Sequence, residues 1–130
     1  MKRVLTVISI VLFLAVCNKN NNDIRSLDGR YGGTFSRTGM DTVAVDITFI
    51  GNLFDGYSTR TKYPAICNGS FELNKNTVVF HDSCVWTADF DWTFILDGEY
   101  KIHFEDERTV RIWRENGTLK DEYMLMKLIR

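Results

Sequence analysis

Two carboxylates, Asp89 and Asp91, sit among tryptophans in the run DSCVWTADFDWTFIL, Asp82 to Leu96. Glycoside hydrolysis needs a pair of carboxyls, one on each side of the bond to be broken. Two carboxylates on one face of a single strand flank nothing. The pair therefore reads as a strand entrance, where carboxylates accept backbone or hydroxyl hydrogen bonds. His81 and His103 fall on polar faces of alternating runs, and no nucleophile stands at a base's spacing from either. No glycine-rich phosphate loop follows a strand. Asn68-Gly-Ser and Asn116-Gly-Thr match the N-glycosylation pattern but read as turns. The residues thus assign no catalytic group, no cofactor and no metal.

Cys67 and Cys84 are the remaining reactive side chains in the body of the chain. Two cysteines are too few for a metal site, and His81 falls on the opposite face. A two-residue turn at Lys75-Asn76 would pair Leu73 with Val78 and Phe71 with Phe80. The same register sets Cys67 opposite Cys84, which suits a cross-strand disulfide in an exported domain. Two buried free thiols are the other reading.

The elements that must position these groups are strands. From Leu27 onward short alternating runs are punctuated by Gly, Asn and Asp, and the chain holds a single proline, Pro64. Strands are expected at 30–37, 43–50, 53–59, 69–73, 77–82, 92–96, 99–104, 109–114 and 122–128. Eight or nine strands with hairpin-length links predict an all-β fold, an antiparallel up-and-down barrel that closes and so removes its edges. Val43, Val45, Ile47 and Phe49 share one face of their strand, as do Tyr100, Ile102 and Phe104 of theirs. Asp97-Gly98 is a hairpin signal. A plain turn there would send Trp92, Phe94 and Leu96 to solvent, whereas a bulge at Gly98 would send them inside. Burying each is worth about 1.5–3 kcal/mol, and an inward carboxylate without a partner costs several. The bulged register, with Trp92 inside and Asp91 outside, is expected. The predicted inward set is Tyr31, Phe35, Phe49, Phe54, Phe71, Phe80, Trp92, Phe94, Tyr100 and Phe104. That composition suits a packed core and an apolar ligand cavity equally well. Gly33, Gly56 and Gly69 fall on inward faces, which favours some open space.

The first residues stand apart. Lys2 and Arg3 precede an apolar run from Val4 to Val16 that is too short to span a bilayer and matches an export signal. Of 16 basic and 17 acidic residues, setting Lys2 and Arg3 aside leaves 14 basic ones and a charge near −3. With no basic cluster, nothing invites nucleic acid. Leu14-Ala15-Val16-Cys17 resembles the lipobox of bacterial lipoproteins, which implies a lipid anchor on Cys17, with Val16 where a smaller residue is usual. Ordinary cleavage nearby, giving a soluble periplasmic or secreted domain, is the alternative. The Asn-rich stretch 18–26 suits a flexible tether to a membrane, and the domain proper runs over 27–130.

Asp28-Gly29-Arg30-Tyr31, GSFEL followed by VVFHD, WTADFDWTFILDGEY and the late VRIWRENG together resemble the small lipocalin-like lipoproteins of gut Gram-negative anaerobes. The resemblance implies a calycin-type barrel and an envelope address. Lipocalins carry Gly-x-Trp in their first strand with a late cation over it. Here Gly29-Arg30-Tyr31 holds that place, so Arg111 or Arg114 is expected over Tyr31. Two functions follow as expectations. One is a non-enzymatic, envelope-anchored barrel that binds an apolar or amphipathic small molecule. The other is a packed barrel that meets a protein partner through outward Trp113, Arg111 and Tyr57.

Overall fold

The computed structural model describes residues 25–129; the expected export signal with Cys17, and residues 18–24 of the expected tether, lie outside them. Eight strands form: β1 (Gly29–Arg37), β2 (Val43–Ile50), β3 (Leu53–Ser58), β4 (Asn68–Leu73), β5 (Thr77–Asp82), β6 (Gly98–Phe104), β7 (Thr109–Asn116) and β8 (Leu119–Lys127). Each pairs antiparallel with the next, and β1 pairs with β8, so the sheet is a closed up-and-down barrel. Alternation dictates this: Val45, Ile47 and Phe49 of β2 are buried, as are Tyr123 and Leu125 of β8.

The register of β4 on β5 is the one the Lys75-Asn76 turn predicts, with Leu73 opposite Val78 and Phe71 opposite Phe80. Beyond it the sulfurs of Cys67 and Cys84 stand at disulfide distance, with Cα atoms 6.3 Å apart and a sequence separation of 17. Closing a loop of that size restrains the unfolded chain by about 3 kcal/mol. A Cys84→Ser variant is therefore expected to unfold at lower urea with an unfolding free energy reduced by about that much.

The expected strand over 92–96 does not form. Trp92–Phe94 is a short 3-10 turn, and Asp91 caps it by accepting a 2.9 Å bond from the Thr93 N–H. Asp97-Gly98 makes no hairpin, because β6 pairs directly with β5, Val78 facing Tyr100 and Phe80 facing Gly98. This long-range pairing sets Val78 beside Tyr100, both fully buried. Trp92 consequently lies outside, 56% exposed, while Leu96 takes an inward place.

The glycines also differ from expectation. A Cβ on Gly33 would land on the Met124 carbonyl oxygen, and one on Gly69 on the His81 carbonyl. These positions admit a neighbouring strand's backbone, as at the coils of a tightly wound barrel, and leave no void. Among the described residues no arginine stacks on Tyr31. Arg111 lies over Trp113 at 4.3 Å and Arg114 over Tyr100 at 4.4 Å, while Tyr31 meets Phe49 edge-on at 5.6 Å.

The two ends of the barrel are unlike. At one, the chain crosses the opening before entering β1. Arg25 donates to the Asp106 carbonyl, Leu27 is buried, and Asp28 accepts from the Gly51 N–H at 2.8 Å. At the other, the long loops 59–67 and 83–97 fold over the mouth. Ala65 N–H donates to Phe94 O and Leu96 N–H to Ala65 O, so Tyr63, Ala65, Ile95 and Leu96 close the barrel.

Candidate functional site

Seven of the ten residues expected to line a cavity are buried and meet one another. Tyr31 touches Phe49, which packs on Phe71 at 5.2 Å. Phe80 touches Phe54 at 5.3 Å and Tyr100 at 5.6 Å, and Tyr100 reaches Tyr123 at 6.1 Å. Tyr123 lies 4.9 Å from Phe35. These edge-to-face and tilted contacts run down the axis and are the geometry aromatic quadrupoles prefer. Phe94 and Phe104 are half-buried at opposite ends, each beneath an arginine, Arg37 and Arg25 respectively. Trp92 does not join the set, for the reason given above.

Beneath loop 83–97 lies a polar cluster. Arg37 and Asp121 are the two buried charged residues of the described chain. The guanidinium binds Asp121 in a two-pronged pair, Nε to Oδ1 at 2.6 Å and Nη2 to Oδ2 at 2.8 Å. It also donates to the Thr93 hydroxyl at 2.9 Å and backbone carbonyl at 3.1 Å, and stacks 3.8 Å from the Phe94 ring. The hydrogen bonding that Arg37 donates to Asp121 raises its pKa, against the opposing pull of burial. Arg114 adds bonds to the Thr93 carbonyl at 2.7 Å and the Asp97 carbonyl at 2.8 Å, with its Nε 3.5 Å from Asp121. Two arginines thus hold one loop down on the barrel rim. Sequence reading missed this cluster, although Arg37 and Asp121 fall in phase with inward Phe35 and Tyr123.

Outside the cluster opens a cleft of about 690 Å³, between loop 83–97 and the β7–β8 end. Its apolar side carries Trp86, Trp92, Val85 and Leu119, of which Val85 is 99% and Leu119 45% exposed. Its polar side carries Asp82, Asp91, Asp97, Asn116 and Arg114, with Arg37 and Asp121 in its lining. The indoles are pinned, Trp86 donating to Asp82 Oδ2 at 2.7 Å and Trp92 to the Thr87 carbonyl at 2.9 Å. Burial pushes the Asp82 carboxyl upward.

Asp89 and Asp91 are structural. Asp91 accepts from both the Thr93 hydroxyl and N–H, which lowers its pKa. Asp89 accepts from the Thr87 hydroxyl and from Lys62 Nζ at 2.9 Å, which lowers its pKa from 3.8 to about 2. A depressed carboxyl contributes stability above its unfolded pKa and loses it as pH falls through the folded one. The NMR shifts of the Thr87 and Lys62 side chains, which bond Asp89, should therefore hold on acidification through 3.8 and change only as pH nears about 2. In Asp89→Asn that acid step should disappear.

Comparison with protein-family models, curated proteins and solved structures finds no match. The site's own chemistry carries the reading. Among the described residues no three His, Cys, Asp or Glu side chains gather to hold a metal, and no helix is long and apolar enough to cross a membrane. Tyr57 and Trp113, expected together as an outer contact surface, stand on β3 and β7, on opposite walls of the barrel. They do not form one patch.

Proposed function

We propose that the protein is a non-enzymatic, envelope-anchored binding barrel of lipocalin-like type that takes an amphipathic small molecule in the rim cleft rather than along its axis. The observation that carries this reading is the contrast between the two spaces. The axis is filled ring against ring, whereas the cleft of about 690 Å³ falls within the size range of small-molecule sites. The cleft offers a ligand an apolar wall of two fixed indoles and Leu119, facing a row of carboxylates and an amide. Both arginines are already spent on Asp121, Thr93 and Asp97, so they act as scaffold. The anchor rests on the export signal and Cys17.

Native mass spectrometry of the exported chain, purified gently from its own envelope, tests the reading. A reproducible mass excess that vanishes on denaturation is expected. Leu119→Asp should abolish it by placing a charge on the apolar wall, while Phe54→Leu, inside the barrel, should retain it. A bare polypeptide mass, or an excess lost with Phe54→Leu and kept with Leu119→Asp, would overturn the assignment.

A further inference from the structure

The barrel end opposite the cleft carries its own exposed apolar group. Ile50 at 69%, Leu53 at 57%, Leu128 at 44% and Ile129 at 74% exposure stand at the β2–β3 hairpin and just beyond β8. They are neighbours: Ile50 pairs with Leu53, and Ile50, Leu128 and Ile129 line one cleft of about 800 Å³. Isolated exposed apolar residues need no explanation, but a contiguous group at one pole does. Cations surround it. Arg30 reaches out with 60% of its side chain exposed, Lys127 lies against Gly29, and Arg108 donates to the Lys127 carbonyl at 3.0 Å. Asp46 offsets Arg30 at 2.8 Å, and Asp28 is bound to the Gly51 N–H.

The chain itself says what faces this pole. It runs across this end, from Arg25 at Asp106 to Asp28 at Gly51, so whatever precedes Arg25 departs from here. Cys17 is only eight positions before Arg25. At full extension that is no more than about 29 Å of chain. A lipid on Cys17 would hold this pole, and not the cleft, against the bilayer. Long basic side chains around an apolar group are suited to that place, since they lie along the acyl boundary and lift their charge to the headgroups.

From this we infer that the tether end of the barrel is a membrane-seating surface, with Ile50, Leu53, Leu128 and Ile129 dipping into the lipid interface and the ligand cleft turned away from it. The inference rests on the envelope-anchored reading and adds a defined orientation to it. A protein-borne contact beside the lipid would add a second point of attachment. It also fixes the direction from which a ligand arrives, through the aqueous side.

The test uses the full chain as it is processed in its own cells, reconstituted into vesicles of phosphatidylethanolamine and phosphatidylglycerol. An environment-sensitive fluorophore is placed at Ile50→Cys, and in a second preparation at Leu119→Cys on the opposite pole. Blue-shifted emission at position 50, quenched several-fold by acyl-chain nitroxide lipids, with water-like emission at 119, is the expected result. If the chain floats with the vesicles while both labels report water, or both report lipid, the seating surface is wrong and anchoring stands. If the chain does not float at all, both fall.

Discussion

Replacing Asp121 with alanine is expected to lower the unfolding free energy by about 3–5 kcal/mol. The carboxylate is buried and takes two charge-assisted bonds from Arg37, at 2.6 and 2.8 Å, with Arg114 3.5 Å away. Without it the Arg37 guanidinium stays in a site that exposes 7% of its side chain, keeping its bonds to Thr93 but with only the exposed Asp91, 3.7 Å away, as a countercharge. An uncompensated buried charge costs far more than the pair itself is worth. Arg37→Met should cost less, since Asp121 would still have Arg114 beside it. Combining Arg37→Met with Asp121→Leu should cost less than Asp121→Ala alone, because no charge is then stranded. Urea titrations of the four proteins read the order directly. If Arg37→Met proved the more damaging single change, Arg114 would not be sharing the carboxylate.

Phe80→Ala carries the other large effect. Its ring is 1% exposed and meets Phe54, Tyr100, Phe49 and Phe71, the first two at 5.3 and 5.6 Å. Removing a buried phenyl costs about 3–5 kcal/mol, since the transfer free energy is lost and the neighbours relax only partly into the hole. The hole would be apolar, dry and able to admit a small aromatic guest. Benzene should therefore raise the melting temperature of Phe80→Ala and leave the parent protein's unchanged. A parent protein stabilised by benzene would point to an axial space that the ring contacts do not leave.

The β4–β5 register and the meeting of Cys67 with Cys84 were legible because a tight turn and strict alternation fix both locally. Segment 92–96 was not. Asp97-Gly98 is a strong local hairpin signal, yet the pairing of Val78 with Tyr100 is made across a long loop, and it won. Burial of Leu96 satisfied part of the same apolar demand, leaving Trp92 free to wall the cleft. The rim cluster was written in the alternation. Tyr31, Gly33, Phe35 and Arg37 keep one phase, and Asp121, Tyr123 and Leu125 keep another, with Arg37 directly opposite Asp121. The habit of assigning charges to water hid a pair that was in phase with the core. Trp86 carried no such signal, because a loop has no period from which to read a facing, whereas Leu119 opens β8 in the same phase as Asp121 and Tyr123.

The seam between β1 and β8 sets the order in which the molecule can be finished. It joins the earliest strand to the latest, Tyr31 against Lys127 through Arg37 against Asp121. A chain delivered from its N-terminus can build the hairpins from β1 to β7 as they emerge, but the cylinder stays open throughout. Both β1 and β7 then present bare edges that invite pairing with other chains. Closure across so long a stretch of sequence is slow as well as late. Folding of this barrel is therefore gated by arrival of its last strand. A chain lacking β8 has two bare edges and a stranded arginine, which leaves it prone to pairing with other chains until the last strand arrives.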